Sequence, residues 1–171
     1  MKIWYDTEFL EDGETIMFIS MGMVAEDGRE LYLINDEADW DRVRKHEWLM
    51  ANVYPHLENE QALWVDKKQA QIEIYNFLMG VRKNRKDFPE LFAWYSSYDH
   101  VVLAQIFGTM LDLPAGIPMY THDVRSMADW FGVKSWPKQV GGNHDALEDA
   151  RHLRKVYDHI VETGKLKIET S

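Results

Sequence analysis

Apolar and polar side chains alternate along residues 2–9, with aromatic positions among them, and this period of two predicts a β-strand. Asp12-Gly13 reads as a hairpin turn into a second β-rich run, Thr15 to Ala25, and Asp27-Gly28 as a turn into Glu30–Ile34. The three segments predict an antiparallel meander. Residues 36–60 read as helical in part, through Trp40, Val43, Glu47 and Leu49-Met50, and stop near Pro55. The period lengthens to that of a helix at Ala70, Ile74, Phe77, Leu78 and Val81, with Asp66 and Gln69 placed as a capping box. Leu91-Phe92-Ala93-Trp94-Tyr95 is a short apolar run suited to a buried strand. Ser96-Ser97 starts a helix carrying Val101, Val102, Ile106 and Met110, which Pro114 and Gly116 end. Pro118 to His122 predicts a last strand, followed by a helix through Met127, Trp130 and Phe131. A loop from Gly132 to Gly142 leads to a final helix from about His144 to Glu162, with Ala146, Ala150, Leu153, Tyr157 and Ile160 on one face. A meander followed by alternating helices and strands predicts an α/β fold: a mixed five-stranded sheet flanked by helices.

Composition narrows the class. The 171 residues are expected to form one domain over 1–171, and 46% hydrophobic content with seven Trp, eight Tyr and seven Phe predicts a packed core. No cysteine is present, which excludes disulfides and thiolate metal sites. No apolar run approaches the roughly 20 residues of a membrane span, and Met1-Lys2-Ile3-Trp4 enters a strand pattern directly, so the cytoplasm is the expected location. The net charge of −10 runs against the basic footprint of duplex-binding proteins. Two divalent cations would bring it to −6, and the bases that exist are grouped, as Arg82, Lys83, Arg85 and Lys86 and as Arg125, Lys134 and Lys138. This balance excludes tight non-specific duplex binding and leaves an enzyme that grips one strand end. The tryptophans leave room for a homodimer patch that the sequence does not locate.

Asp6 and Glu8 lie two apart on the first strand and therefore face the same way, while Tyr5, Thr7 and Phe9 face the other. Two such carboxylates repel unless a cation sits between them or the face is wet. Asp99 falls in the first turn of a helix, where an acid also serves the helix dipole, but it follows the C-terminal end of a buried strand, the sheet edge at which sites assemble. Asp149 borders the apolar stripe of the last helix, where an acid must be paired or bind metal. His144 precedes it by five residues, about 140° around a regular helix, so the two cannot converge from helical positions. The Gly141-Gly142-Asn143 lead-in allows His144 to swing over from a frayed start; the alternative is an exposed histidine without a role.

Asp6-Thr7-Glu8-Phe9, Tyr98-Asp99-His100 and His144-Asp145-Ala146-Leu147-Glu148-Asp149-Ala150, in that order, resemble the three motifs of the DEDDh group of 3′–5′ exonucleases, the proofreading-subunit and ribonuclease T type. Asp145 stands where the sister group has a tyrosine, so the histidine form applies. Among relatives the chain looks most like the small stand-alone exoribonucleases of mycobacteria and their bacterial and phage kin. It departs from the oligoribonuclease pattern at Leu10-Glu11-Asp12-Gly13, where a Thr-Gly pair is expected.

The resemblance implies a ribonuclease H-like fold and a two-metal phosphodiesterase using Mg²⁺ or Mn²⁺. By it, Asp6 bridges the ions, Glu8 and Asp149 complete the first site, Asp99 supports the second, and His144 is the general base. Imidazole suits that task because it titrates near neutrality. The substrate implied is single-stranded nucleic acid, RNA ahead of DNA, and the product a nucleoside 5′-monophosphate. Phe9, by its place after the carboxylates, and Trp136 and Lys138, in the loop before His144, are the expected substrate contacts, with core packing the alternative for both aromatic rings. The competing readings are an exodeoxyribonuclease and a nucleic-acid-binding module without turnover.

Overall fold

The structure, a computed structural model, describes residues 1–58, 61–80 and 87–169. Among the described residues six strands form one sheet, in the order β4-β3-β2-β1-β5-β6. The meander is β1 (Lys2–Glu11), β2 (Ile16–Ala25) and β3 (Glu30–Asn35), antiparallel throughout. β5 (Glu90–Ala93) lies parallel to β1, β6 (His122–Asp123) parallel to β5, and β4 (Leu63–Val65) parallel to β3.

The expected five strands are thus six. β4 has only three residues, two of them exposed, so no period could reveal it. The strand expected at Pro118–His122 shrinks to a two-residue pairing with Phe92 and Ala93, and Pro118 lies outside it. A proline has no N–H to offer a ladder. β5 stops at Ala93, so Trp94 and Tyr95, read as strand, belong to the turn before the next helix.

The helical stretch at 36–60 resolves into α1 (Trp40–Lys45) and α2 (Glu47–Asn52), followed by a short 3₁₀ turn at Tyr54–His56. His46 ends the first and caps the second, its ring Nδ1 accepting from Leu49 N–H. α3 (Lys67–Gly80) opens on half of the expected box. Asp66 accepts from Gln69 N–H at 2.7 Å, but the Gln69 side chain turns to Glu73. Val81 and the basic run Arg82–Lys86 lie outside the described residues. α4 (Ser97–Phe107), α5 (Val124–Trp130) and α6 (Ala146–Glu169) complete the fold.

Alternation along β1 and β2 divides the core. Ile3, Tyr5, Met21, Met23 and Ala25 pack with Ile74 and Leu78 of α3 and Val102, Leu103 and Ile106 of α4. On the other face Leu10, Ile19 and Val24 meet Ala146, Leu147 and Ala150 of α6, and Trp4 meets Leu153, Val156 and Ile160 further along it. Gly22 makes this second contact close. A Cβ there would fall 2.3 Å from the backbone carbonyl of Ala146. Gly22 is the cross-strand partner of Asp6, so α6 starts directly beside that carboxylate. Among the described residues no helix is long and apolar enough to cross a membrane.

Candidate active site

Asp6 and Glu8 share the sheet face that receives α6, as their spacing requires. β1 pairs with β5 only from Lys2 to Trp4, so beyond Trp4 that edge of β1 is open, at the C-terminal end of the parallel pair. Asp99 reaches this edge from the first turn of α4. Its Oδ1 accepts from both the backbone N–H of Thr7, at 2.9 Å, and the Thr7 hydroxyl, at 2.8 Å. The carboxyl is buried and held by the strand that carries the other two acids, so it is more than a helix-dipole residue.

Asp149 lies in the first turn of α6, with Gln139 Nε2 donating to Oδ1 at 2.5 Å and the backbone N–H of His144 donating to Oδ2 at 2.8 Å. His144 is outside the helix, which begins at Ala146 with Asp145 as its cap, accepting from Leu147 and Glu148 N–H groups. Its φ of 66° is left-handed, following 75° at Gly141 and 68° at Gly142. Those angles turn the chain back so that the histidine faces the sheet, the swing that helical geometry alone forbids. Its ring stands edge-on to Trp48 of α2 at 4.8 Å, with Nδ1 3.9 Å from a Glu8 carboxylate oxygen.

Candidate ligand atoms of Glu8, His144 and Asp149 lie within 4.8 Å of one another. Asp6 and Asp99 are outside that tight group but within its electrostatic reach. Burial raises Asp6 well above the ordinary carboxylate range, and Asp99, Glu8 and Asp149 add to the effect. Glu8 is pushed up to about 8 by burial and then by Asp149, Asp99 and Asp145. Asp99 is raised to about 7 by burial, against the lowering effect of the Thr7 hydrogen bonds. Burial also raises Asp149, opposed by its bonds from Gln139 and His144. Four neighbouring acids raised chiefly by burial are poorly placed as anions unless positive charge joins them. An oxygen-rich set of this kind suits hard divalent cations.

Two clefts open on this cluster. One, of about 520 Å³, is lined by His144, Asp149, Gln139, Trp136 and His152. The other, of about 430 Å³, is lined by Asp99, Thr7, Phe9, Tyr98 and Asp123. Asp6, Trp94 and Tyr95 line both. Phe9 keeps the parity of its strand, packing toward the α4 side, yet its ring stacks on Tyr98 at 5.6 Å and borders the second cleft. Trp136 borders the first cleft, edge-on to Trp94 at 5.0 Å and with the Arg125 guanidinium 5.4 Å over its ring. Lys138 is exposed on the same loop and lines neither cleft. Sequence reasoning missed Gln139, Thr7, Trp48 and Gly22. Thr7 lies inside the first motif without being singled out by it, the other three belong to no motif, and each acts through a contact that only the fold makes.

Comparison with known proteins gives the chain's family and relatives. The 3′–5′ exoribonuclease Rv2179c-like domain family matches residues 1–161. Two relatives from Mycobacterium tuberculosis, the 3′–5′ exoribonuclease MT2234.1 of strain CDC 1551 / Oshkosh and the 3′–5′ exoribonuclease Rv2179c of strain ATCC 25618 / H37Rv, are each 39% identical over 164 residues, 95% of either chain.

Proposed function

Because the chain belongs to the Rv2179c-like 3′–5′ exoribonuclease domain family, we propose that it removes nucleotides singly from the 3′ ends of single-stranded RNA and releases nucleoside 5′-monophosphates. It is a hydrolase of the exonuclease class, and its substrate is RNA. The observation that carries the mechanism is the convergence of Asp6, Asp99, Asp149 and His144 on two adjoining clefts, with Glu8 grouped against His144 and Asp149, from two strand positions, two helix starts and one loop.

In this reading Asp6, Glu8, Asp99 and Asp149 would hold two divalent ions, Mg²⁺ or Mn²⁺. When bound, the ions supply positive charge to the phosphate oxygens and make water a better acid. The protein supplies the rest. His144 accepts the proton of the attacking water on an imidazole nitrogen, and the Trp48 ring limits where that imidazole can swing. The two Thr7 donors favour the ionised form of Asp99. Gln139 and the His144 N–H fix both oxygens of Asp149, so ligand and base move as one unit. Phe9 and Trp136 offer apolar ring surface to bases in the two clefts, and Lys138 is left with phosphate contact outside them.

The test is a time course with 3′- and 5′-labelled RNA and DNA oligomers in Mg²⁺, in Mn²⁺ and in EDTA. Stepwise loss of mononucleotides from RNA 3′ ends, stopped by EDTA, is expected. Internal cleavage, or turnover that survives chelation, refutes the mechanism, and equal rates on DNA refute the RNA preference.

A further inference from the structure

The exoribonuclease reading, on which this inference rests, gives the two clefts different chemical tasks. Water deprotonated by His144 attacks from the cleft that His144 lines. In phosphoryl transfer the attacking and leaving oxygens are roughly in line. The departing 3′ oxygen therefore moves away from His144, toward the cleft of Asp99, and the nucleotide that carries it lies there. That cleft has aromatic walls: Tyr98, backed by Phe9 with their planes only 6° apart, and Tyr95.

Tyr95 is the unusual member. It follows β5 with a φ of 56°, a left-handed conformation that bulky residues rarely hold and that persists mainly at functional sites. The turn is pinned on the C-terminal side, where Ser96 N–H donates to Asp123 Oδ2 and the Ser96 hydroxyl to the Thr121 carbonyl. Before it, Trp94 is fixed against Trp136. The Tyr95 ring meets Trp94 edge-on at 5.7 Å, its hydroxyl accepts a hydrogen bond from Arg125, and the residue is 61% exposed. The hydroxyl has a partner, but the residue stands mostly in solvent, on a strained backbone and on the rim of both clefts.

We propose that Tyr95 stacks the base of the penultimate nucleotide, the one that becomes the new 3′ end. This grip depends on ring surface more than on phosphate neutralisation, as a chain of net charge −10 requires.

The experiment measures initial release of the 3′-terminal nucleotide from RNA with an intact or an abasic penultimate nucleotide, for the wild type, Tyr95→Ala, Tyr95→Phe and Tyr95→Gly. Tyr95→Ala raises KM on intact RNA roughly tenfold with little change in kcat, and Tyr95→Phe restores it. The abasic nucleotide raises the wild-type KM by a similar factor and has no further effect on Tyr95→Ala. Tyr95→Gly, which relieves the backbone, shows the same raised KM as Tyr95→Ala. An abasic penalty as large in Tyr95→Ala as in the wild type overturns the proposal, and so does a wild-type KM for Tyr95→Gly. A wild type that releases no 3′ nucleotide from either RNA overturns the exoribonuclease reading instead.

Discussion

Gly22 sets how near α6 comes to the sheet, and adding one methyl group there tests whether that distance controls the chemistry. A Cβ at position 22 would stand 2.3 Å from the Ala146 carbonyl carbon and oxygen and 2.4 Å from Leu147 Cα. All three are backbone atoms, so no side-chain rotation relieves the clash. Ordinary contact begins near 3.4 Å, which means the start of α6 must retreat by roughly 1 Å. Asp149 stands in the first turn of that helix, and His144 is tied to it by a backbone hydrogen bond, so both withdraw from Asp6 and Glu8. Misplacing reacting groups by about 1 Å costs on the order of 100-fold in rate, and overpacking costs about 1–3 kcal/mol of stability. Gly22→Ala is therefore expected to fold, to melt lower, to bind Mn²⁺ more weakly by calorimetry, and to lose about 100-fold in kcat on labelled RNA. Wild-type kcat together with unchanged Mn²⁺ affinity would refute the claim that Gly22 sets the approach.

The acid cluster makes a second prediction, for the ion-free protein. Burial and then neighbouring carboxylates push Glu8 up to about 8, and burial raises Asp99 to about 7. An acid whose pKa rises on folding binds more protons folded than unfolded. Its contribution is full below its unfolded value and is lost as pH rises through the folded one. The melting temperature in EDTA should therefore fall between pH 4.5 and about 8, the range spanned by Glu8, and Mn²⁺ at pH 8 should restore it. A profile that is flat or rises over that window, measured by scanning fluorimetry, contradicts the clustering. Replacing His144 with Ala should reduce the single-turnover rate roughly 10²–10⁴-fold while leaving Mn²⁺ affinity near wild type. Asp149→Asn should abolish turnover and weaken Mn²⁺ binding, and a variant of either kind with the wild-type rate removes that residue from the mechanism.

Much of the site was legible because its parts are local. A period of two places Asp6 and Glu8 on one face whatever the rest of the chain does, and both were found on the α6 side. The 100° step of a helix excludes a joint approach by His144 and Asp149 from regular positions, and His144 indeed sits on a left-handed loop residue. The meander and the helices followed from periodicity for the same reason. β4 and the shortened β6 did not, because segments of two or three residues carry no period and exist only through the strand beside them.

What only the tertiary structure decided is which groups meet. Thr7 binds Asp99 across 92 residues because β5 ends early and leaves the β1 edge open. Gln139 meets Asp149 because the preceding loop folds back along α6, and Gly22 matters because a helix start, distant in sequence, lies on it. Nor does any pattern in the chain announce that Tyr95 stands between two clefts on a strained backbone. The sequence by itself determined the chemistry available, through its carboxylates and histidine and the faces they occupy, since side-chain direction follows local backbone geometry. Strand order, helix approach and cleft position arise from contacts between segments far apart in the chain, and those decided where that chemistry is assembled.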